Sequence, residues 1–152
     1  MVTKADRPLV TGAAQKLLDP NWLAGFATGE GCFYVVAQKR ADFKMEYSFK
    51  LKFSIAQHCR DEALLKNLRD YFGCGNLYKN REIFELVFTN LTEIEDKIVP
   101  FFVKYPIEGV KYLDFQDFCI VLNIMKEKRH LTIEGRDTIL KIKGGMNTGR
   151  IS

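Results

Sequence analysis

One acidic residue in the stretch "NWLAGFATGEGCFYV" stands where a helix is expected to end and a strand to begin. Glu30 lies between Gly29 and Gly31, after the helical pattern of Trp22 to Thr28. The C-terminal end of a helix carries a partial negative charge, so a carboxylate is unfavourable there by about a few tenths of a kcal/mol. A divalent cation would reverse that penalty. The Glu30 carboxylate and the Gly29 carbonyl are hard oxygen ligands of the kind that suits Mg²⁺ beside a substrate phosphate.

The same helix carries two glycines on one face, because Gly25 and Gly29 are four residues apart. A glycine inside a helix costs about 1 kcal/mol relative to alanine. Two explanations are open: close packing of the helix on its own sheet, or close approach of a second helix. Two copies packed through this face would bring two Glu30 carboxylates to a symmetry axis. That arrangement would suit metal-assisted phosphodiester hydrolysis.

The elements that must position these residues follow from hydrophobic periodicity and from capping signals. Asp19-Pro20 is typical of a helix start, with Asp19 as the N-cap and Pro20 in the first turn. Asp61 is a second candidate cap, and Gly73 is expected to end the helix that Asp61 begins. The predicted helices are 20–28, a segment within 60–75, 90–103, 114–128 and 132–143, and the predicted strands are 32–40, 46–57, 75–79 and 83–89. The order α-β-β-α-β-β-α with two further helices predicts an α+β fold, in which helices cover one face of an antiparallel sheet and the other face is open.

Length and composition agree with one domain over residues 1–152, of which 1–19 form an irregular N-terminal extension. The chain is 47% hydrophobic and 28% charged, and no apolar run approaches the length of about 18 residues that a membrane helix needs. The start lacks the apolar core of a secretory signal and the arginines of a transit peptide. The four cysteines form no C-x-x-C pair, which favours reduced thiols in an intracellular protein over a zinc site. A net charge of +4 is compatible with a nucleic-acid partner.

The open face of the predicted sheet is the candidate recognition surface. Phe49, Leu51, Phe53 and Ile55 alternate with polar and basic residues, so the two faces of this strand differ. A solvated sheet surface would explain this pattern, but cations gather on the first two strands and their turn, and a two-stranded ribbon fits the DNA major groove. The expected DNA contacts are Tyr34, Val36, Gln38, Arg40, Lys44, Ser48, Lys50, Lys52, Ser54, Asn76, Tyr78, Glu85, Val87 and Thr89.

Four blocks of the chain resemble one known family. "LAGFATGEG" is similar to the motif of the LAGLIDADG homing endonucleases. Three further blocks of this chain resemble the branch of that family encoded in fungal mitochondrial group I introns: "FSIAQHCRDEALLKNLRDYFGCGNLY", "VPFFVKYPIEGVKYLDFQDF" and "HLTIEGRDTILKIKGGMNTGR". The resemblance implies the αββαββα fold, a mitochondrial location and a motif helix that joins two halves. The residues it implies at that interface are Trp22, Ala24, Gly25 and Thr28.

The resemblance also implies roles at the site. Glu30 would bind the metal with the Gly29 carbonyl, Lys111 would stabilise phosphate charge, and Gln57 would position water. A strand-end polar residue is the alternative for Gln57, and a solvated loop lysine is the alternative for Lys111. Many members carry an acid two residues before the metal ligand, where this chain has Thr28, which leaves the packing at that position open.

The chain has one motif, and single-motif members of the family act as homodimers. Its closing blocks also resemble the C-terminal half of a two-motif enzyme, so pairing with a second half-domain is the alternative. We expect a Mg²⁺-dependent endonuclease, with Ca²⁺ as a non-catalytic substitute, that cuts a near-palindromic target of about 20 base pairs and leaves short 3′ overhangs. The competing hypotheses are a DNA- or RNA-binding module of the same fold, such as a maturase or a cleavage-inactive half, and an α+β domain that acts through protein contacts.

Overall fold

The computed structural model describes residues 19–44 and 46–149. The predicted order of elements is confirmed, with small shifts at the boundaries. The helices and strands of the first part are α1 Pro20–Glu30, β1 Gly31–Lys39, β2 Tyr47–His58, α2 Glu62–Phe72, β3 Asn76–Asn80 and β4 Ile83–Phe88. A continuous helix, α3, then covers 91–104 as an α turn (Leu91–Glu93), a π-helical turn (Ile94–Ile98) and an α segment (Val99–Lys104), and it is followed by α4 Val110–Lys126 and α5 Ile133–Gly144. Short 3₁₀ turns occupy Cys59–Asp61, Arg129–Leu131 and Asn147–Gly149.

The four strands form one antiparallel sheet in the order β1-β2-β4-β3. Phe33 lies opposite Phe53, and Phe53 lies opposite Phe88, so the three central strands place aromatic side chains in one row. The helices pack on this side of the sheet, where Phe102 and Phe118 contact the row. The core therefore lies between the helices and one sheet face, as the alternation in β2 predicts.

Local signals explain most helix ends. The Asp19 carboxylate accepts hydrogen bonds from the backbone of Asn21 and Trp22 at 2.8 and 3.2 Å, and Gly73 ends α2 with a left-handed φ of 72°. The prediction that Asp61 caps α2 is wrong, because its side chain makes no capping hydrogen bond. The chain first makes the 3₁₀ turn Cys59–Asp61, whose cap is His58, with Nδ1 accepting from the Arg60 N–H at 3.1 Å.

The start of α4 also differs from the prediction. The helix begins at Val110 rather than Asp114, directly after Gly109, whose φ of 76° ends the preceding segment. Four extra residues therefore become helical, and Lys111 lies in the first turn of α4. Asp114 becomes a buried position inside the helix, with 4% of its surface exposed.

Two further properties bear on the expectations from composition. All four cysteines are free thiols, and burial raises the pKa of Cys119 to about 11 and also raises that of Cys74, so both are neutral near pH 7. No helix within the described ranges is long and apolar enough to cross a membrane. Residues 1–18 of the expected N-terminal extension lie outside the described residues.

Candidate metal centre and nucleic-acid interface

Glu30 is the last residue of α1 and is exposed. The helix closes with the Gly31 N–H bonded to the Ala27 carbonyl, so the carbonyls of the final turn after Ala27 have no partner within the helix. The Glu30 carboxylate makes no hydrogen bond or ion pair with any residue that the structure describes. A free carboxylate and free carbonyl oxygens at one helix end are the donor set that a hard cation accepts.

Gly31 fixes where this carboxylate stands. A Cβ at Gly31 would lie 2.9 Å from the Ala27 carbonyl oxygen and 3.0 Å from the Phe53 ring. Only glycine therefore allows β1 to start directly at the end of α1 with no intervening loop. The Glu30 carboxylate is held at the edge of the sheet by this close approach of helix and strand.

Lys111 reaches the same place from 80 residues further along the chain. Its Nζ donates a hydrogen bond to the Gly31 carbonyl, one residue past Glu30, and its side chain is half-buried in the first turn of α4. Lys111 is therefore not a solvated loop lysine. An ammonium at this point adds positive charge beside the free carboxylate, where a phosphate oxygen would need it.

Gln57 lies at the same end of the sheet but is not joined to these residues. It is two residues beyond Ile55, which lies opposite Gly31, and its Nε2 donates only to the Ala56 carbonyl at 2.8 Å. Within residues 19–44 and 46–149, no group of three acidic, histidine or cysteine side chains could hold a metal ion. The described part of one chain therefore holds no three-ligand metal cluster at this position.

The glycine face of α1 is open. A Cβ at Gly25 or at Gly29 would meet no atom within 4 Å, so packing of α1 on its own sheet does not explain either glycine. Trp22 is on the same face, 44% exposed, with its ring stacked on Phe26 at 5.2 Å and an interplanar angle of 6°. Together Trp22, Gly25, Phe26 and Gly29 form a flat strip at helical spacing, which we call the α1 strip.

Two residues predicted at the dimer interface are engaged inside the chain. Ala24 is 5% exposed and belongs to the core formed by the opposite face of α1, so its side chain does not lie on the open glycine face. The Thr28 hydroxyl donates to the Ala24 carbonyl at 2.9 Å and accepts from the Glu108 N–H at 3.4 Å. Thr28 therefore ties the end of α1 to the loop before α4, which shows how the chain packs at this position.

The predicted DNA contacts in the strands share one sheet face. In the register, Tyr34 lies opposite Lys52, and both have their side chains on the side away from the core. The other members at paired positions on this outer face are Val36, Gln38, Ser48, Lys50, Ser54, Asn76, Tyr78, Glu85 and Val87. Arg40 and Lys44 lie in the β1–β2 turn, and Thr89 follows β4.

The centre of the outer face is closed in this structure. Ser54 and Val87 lie opposite each other and are only 4% and 6% exposed. Both were predicted to contact DNA, but neither side chain is accessible in this structure. Lys52 and Glu85 flank this pair in the register, and their charged ends meet at 3.5 Å. Because the ion pair passes over Ser54 and Val87, the groups that a ligand meets first are those of Lys52 and Glu85.

Tyr34 adds to this central cluster. The Lys52 ammonium lies 5.3 Å from the centre of the Tyr34 ring, within the range of a cation–π contact. A hydrogen bond with Cys32, then burial and the nearby charges of Cys32 and Glu85, raise the pKa of Tyr34 to about 12. The phenol is therefore neutral at physiological pH.

The β1–β2 turn presents cations at the far end of the outer face. The Arg40 guanidinium lies 3.3 Å from the Asp42 carboxylate and 4.4 Å from the centre of the Phe43 ring. This partner holds the pKa of the Asp42 carboxyl below its usual value. Phe43 is 40% exposed and was not among the predicted contacts, since an aromatic residue in a turn gives no signal of its own.

Sequence reasoning also missed two residues that lie beside Lys111. The Asn147 N–H donates to the buried carboxylate of Asp114 at 3.0 Å, and the Asn147 side chain donates to the Phe33 carbonyl at 2.8 Å. The only signal was indirect, since both residues lie in blocks quoted for the family resemblance. No spacing rule connects residues that are 114 positions apart.

Residues 23–122 match the family described as LAGLIDADG endonuclease. The chain belongs to this family. Probable intron-encoded endonuclease 2 of Neurospora crassa is 39% identical over 128 residues, which are 83% of this chain and 27% of that protein. The chain therefore spans about a quarter of the length of the curated relative.

Crystal structures of LAGLIDADG proteins confirm the predicted fold. The I-SmaMI LAGLIDADG homing endonuclease bound to cleaved DNA superposes with a TM-score of 0.87 at 42% identity, over 95% of this chain and 48% of that one. The homing endonuclease I-TnaI gives a TM-score of 0.81 at 41% identity, over 87% of this chain and 90% of that one. I-SmaMI has also been crystallised on uncleaved target DNA in the presence of calcium ions.

Proposed function

We propose that the chain is one half of a site-specific, double-stranded DNA endonuclease, in which two such halves pair through α1. The observation that carries this proposal is the free Glu30 carboxylate at the end of a helix whose α1 strip is open to a second helix. Glycine at two exposed helical positions lowers helix stability, and a close partner accounts for their presence. Glu30 is the acidic ligand that one copy brings to the end of α1, and a paired copy would bring a second.

The chemical roles follow from the positions of the side chains. Glu30 and the Gly29 carbonyl would hold the metal, and a bound Mg²⁺ supplies Lewis-acid stabilisation of phosphate charge together with an activated water. Lys111, held on the Gly31 carbonyl, adds a positive charge at the scissile phosphate. Gln57 lies at the same sheet end, where its amide can orient the attacking water once it leaves the Ala56 carbonyl. Ca²⁺ fits the same oxygen ligands and is the expected non-catalytic substitute, which agrees with the uncleaved DNA in the calcium-containing I-SmaMI crystal.

The outer face would follow the DNA major groove. Two ribbons related by a two-fold axis each cover about one helical turn, which gives a near-palindromic target of about 20 base pairs. Lys52, Gln38 and Ser48 offer donors and acceptors for base edges, and the cations of the β1–β2 turn offer phosphate contacts. Cleavage of both strands would leave short 3′ overhangs. The names of intron-encoded fungal relatives support a mitochondrial location.

Two forms of pairing are consistent with the relatives. The chain corresponds in extent to 90% of I-TnaI and to about half of I-SmaMI. We favour a homodimer, because the α1 strip is self-complementary: its glycines admit the glycines of a second copy. Pairing with a second half-domain would use the same strip.

The test begins with a randomised duplex library, Mg²⁺ and sequencing of the cut ends. Wild-type protein should cut a near-palindromic site, and Glu30→Gln should abolish cutting while the affinity for the same duplex in Ca²⁺ persists. Glu134→Gln is the matched control, since it removes one exposed carboxylate on α5, far from the site. Retained cutting by Glu30→Gln would remove Glu30 from the mechanism. DNA binding by the wild type without any cutting would favour the binding-module hypothesis instead.

A further inference from the structure

The open edge of β1 next to Glu30 is occupied by two side chains from distant parts of the protein. β1 is an edge strand, and the carbonyls of residues 31 and 33 point to the same side of it because they are two positions apart. The Gly31 carbonyl accepts from Lys111, and the Phe33 carbonyl accepts from the Asn147 side chain at 2.8 Å. Two successive edge carbonyls beside the site are thereby satisfied by α4 and by the C-terminal 3₁₀ turn.

Asn147 makes hydrogen bonds here with its side-chain oxygen, its side-chain nitrogen and its backbone N–H. Its side-chain oxygen accepts from the Cys32 thiol at 3.3 Å, its side-chain nitrogen donates to Phe33, and its backbone N–H donates to Asp114 at 3.0 Å. Its φ of 53° lies in the left-handed region, which asparagine tolerates better than most residues. The left-handed backbone conformation and the two side-chain contacts therefore favour asparagine at this position.

Asp114 connects this turn to the lysine of the site. It lies one helical turn after Lys111 in α4, so the two side chains project from the same face of the helix. Its carboxylate is 4% exposed, and a buried charge requires hydrogen bonds. The Asn147 N–H is one of its donors. Lys111, Gly31, Phe33, Asn147 and Asp114 thus form a closed ring that ties α4 to β1.

We propose that Asn147 is a positioning residue for Lys111. By holding the first turns of α4 against the edge of β1, it keeps the Lys111 ammonium on the Gly31 carbonyl, one residue past Glu30, rather than in solvent. The proposal rests on the proposed function for the catalytic role of Lys111, but the positioning of the lysine is a property of the chain alone. A partly buried ring of hydrogen bonds restrains its members, and removal of one member leaves groups such as the buried Asp114 carboxylate and the Phe33 carbonyl with fewer partners.

The first test measures Lys111 without any assay of activity. The intact protein is labelled with an amine-reactive reagent, and the labelling rate of each lysine is read by mass spectrometry. Asn147→Asp should raise the Lys111 rate several-fold, because a carboxylate cannot donate to Phe33 and repels Asp114. Lys66, which is paired with Glu62 at 2.6 Å on α2, serves as the internal reference.

A matched variant separates positioning from general stability. Thr132→Ala removes the cap of α5, where the Thr132 hydroxyl accepts from the Gly135 N–H at 3.0 Å, and it does not touch the ring. It should lower the melting temperature while the Lys111 labelling rate stays at the wild-type value. The proposal is overturned if Asn147→Asp lowers the melting temperature and leaves the Lys111 labelling rate unchanged. It is also overturned if both variants raise the Lys111 labelling rate equally.

The second test uses the duplex selected with Mg²⁺. Asn147→Ala should reduce the single-turnover cleavage rate roughly 10- to 100-fold by misplacing a catalytic charge. The affinity for the same duplex in Ca²⁺ should be unchanged, and Thr132→Ala should change neither value well below its melting temperature. An equal loss of rate and affinity would contradict a positioning role. Failure of the wild type to cut any duplex counts against the proposed function and leaves the labelling result standing.

Discussion

Lys52 is held over the middle of the outer face by two neighbours. The Glu85 carboxylate lies 3.5 Å from its ammonium and the Tyr34 ring lies beneath it at 5.3 Å. A long side chain fixed in this way loses less entropy on binding, which favours selectivity over simple attraction to phosphate. The same contacts cover Ser54 and Val87, so the residues available to DNA at the centre are the larger ones.

Tyr34 offers a direct check of this cluster. We predict that it titrates at about pH 12, whereas an ordinary tyrosine titrates near 10.0. The largest cause of the raised pKa is the hydrogen bond with Cys32, followed by burial. Because the folded-state pKa is raised, the stabilisation from the neutral phenol is complete below about pH 10 and is lost as the pH rises through about 12.

Ultraviolet absorbance of the phenolate measures this value. The chain has six tyrosines, so the titration of Tyr34 is obtained as the difference between the wild type and Tyr34→Phe. Cys32→Ala should move the pKa of Tyr34 back toward its usual range, and Glu85→Gln should move it less. A difference curve centred near 10 in the wild type would show that the cluster does not form in solution.

At the scale of elements, the predictions from sequence succeeded where the signal is local. The alternation in β2 predicts both its faces and, through pairing, the outer faces of β1 and β4. Asp19-Pro20 and Gly73 predict helix ends because caps act within one turn. The Asp61 cap failed because His58 offers a competing acceptor three residues earlier. The burial of Ala24 was not visible in the sequence, because a small residue on a helix fits a core and an interface equally well.

The candidate site was only partly predictable for the same reason. Glu30 is visible in the sequence because its conflict with the helix end is local. Lys111 came from the family resemblance, since its contact with Gly31 crosses 80 residues. Asn147 and Asp114 were missed, because their ring closes only when α4 and the C-terminal turn have packed on β1. Burial of Ser54 and Val87 likewise depends on an ion pair between two strands.

Alanine substitutions of Gly25 in α1 and of Gly31 at the start of β1 should change stability in opposite directions. Gly25→Ala should stabilise the isolated chain by up to about 1 kcal/mol, because its Cβ meets open space and alanine is the better helix former. Gly31→Ala should destabilise it by about 1–3 kcal/mol, because its Cβ would meet the Ala27 carbonyl at 2.9 Å and the buried Phe53 ring. Urea unfolding at low protein concentration measures both values.

Self-association of the chain tests whether the α1 strip is a contact surface between two copies. Gly25→Ala should weaken self-association in sedimentation equilibrium, since the added methyl groups separate two α1 helices. Gly144→Ala is the matched control: it also adds a Cβ that meets nothing within 4 Å, at the end of α5 rather than on α1. Unchanged association of Gly25→Ala, or equal weakening in both variants, would show that the α1 strip is not the contact surface.

For the whole molecule, the distribution of charge matters more than the net charge of +4. Four cations lie on the outer face and the adjoining turn, and two of them have acidic partners: Arg40 with Asp42, and Lys52 with Glu85. Lys44 and Lys50 make no ion pair with other residues in the described part of the chain. These two can neutralise phosphates without first breaking an ion pair.

The salt dependence of the DNA affinity therefore distinguishes one bound copy of the protein from two, because it reflects the number of phosphates that are neutralised. Each phosphate neutralised contributes about −0.9 to the slope of log K against log salt concentration, so two free cations per copy predict about −2 for one copy and about −4 for a pair. Gly25→Leu, which should block pairing through α1, is expected to bind a half-site with the smaller slope, while the wild type gives the larger slope on the full target. Fluorescence anisotropy with Ca²⁺ in place of Mg²⁺, over a salt series, measures both. Equal slopes for the two proteins on the full target would mean that a single copy makes all the phosphate contacts, and the paired arrangement would then be wrong.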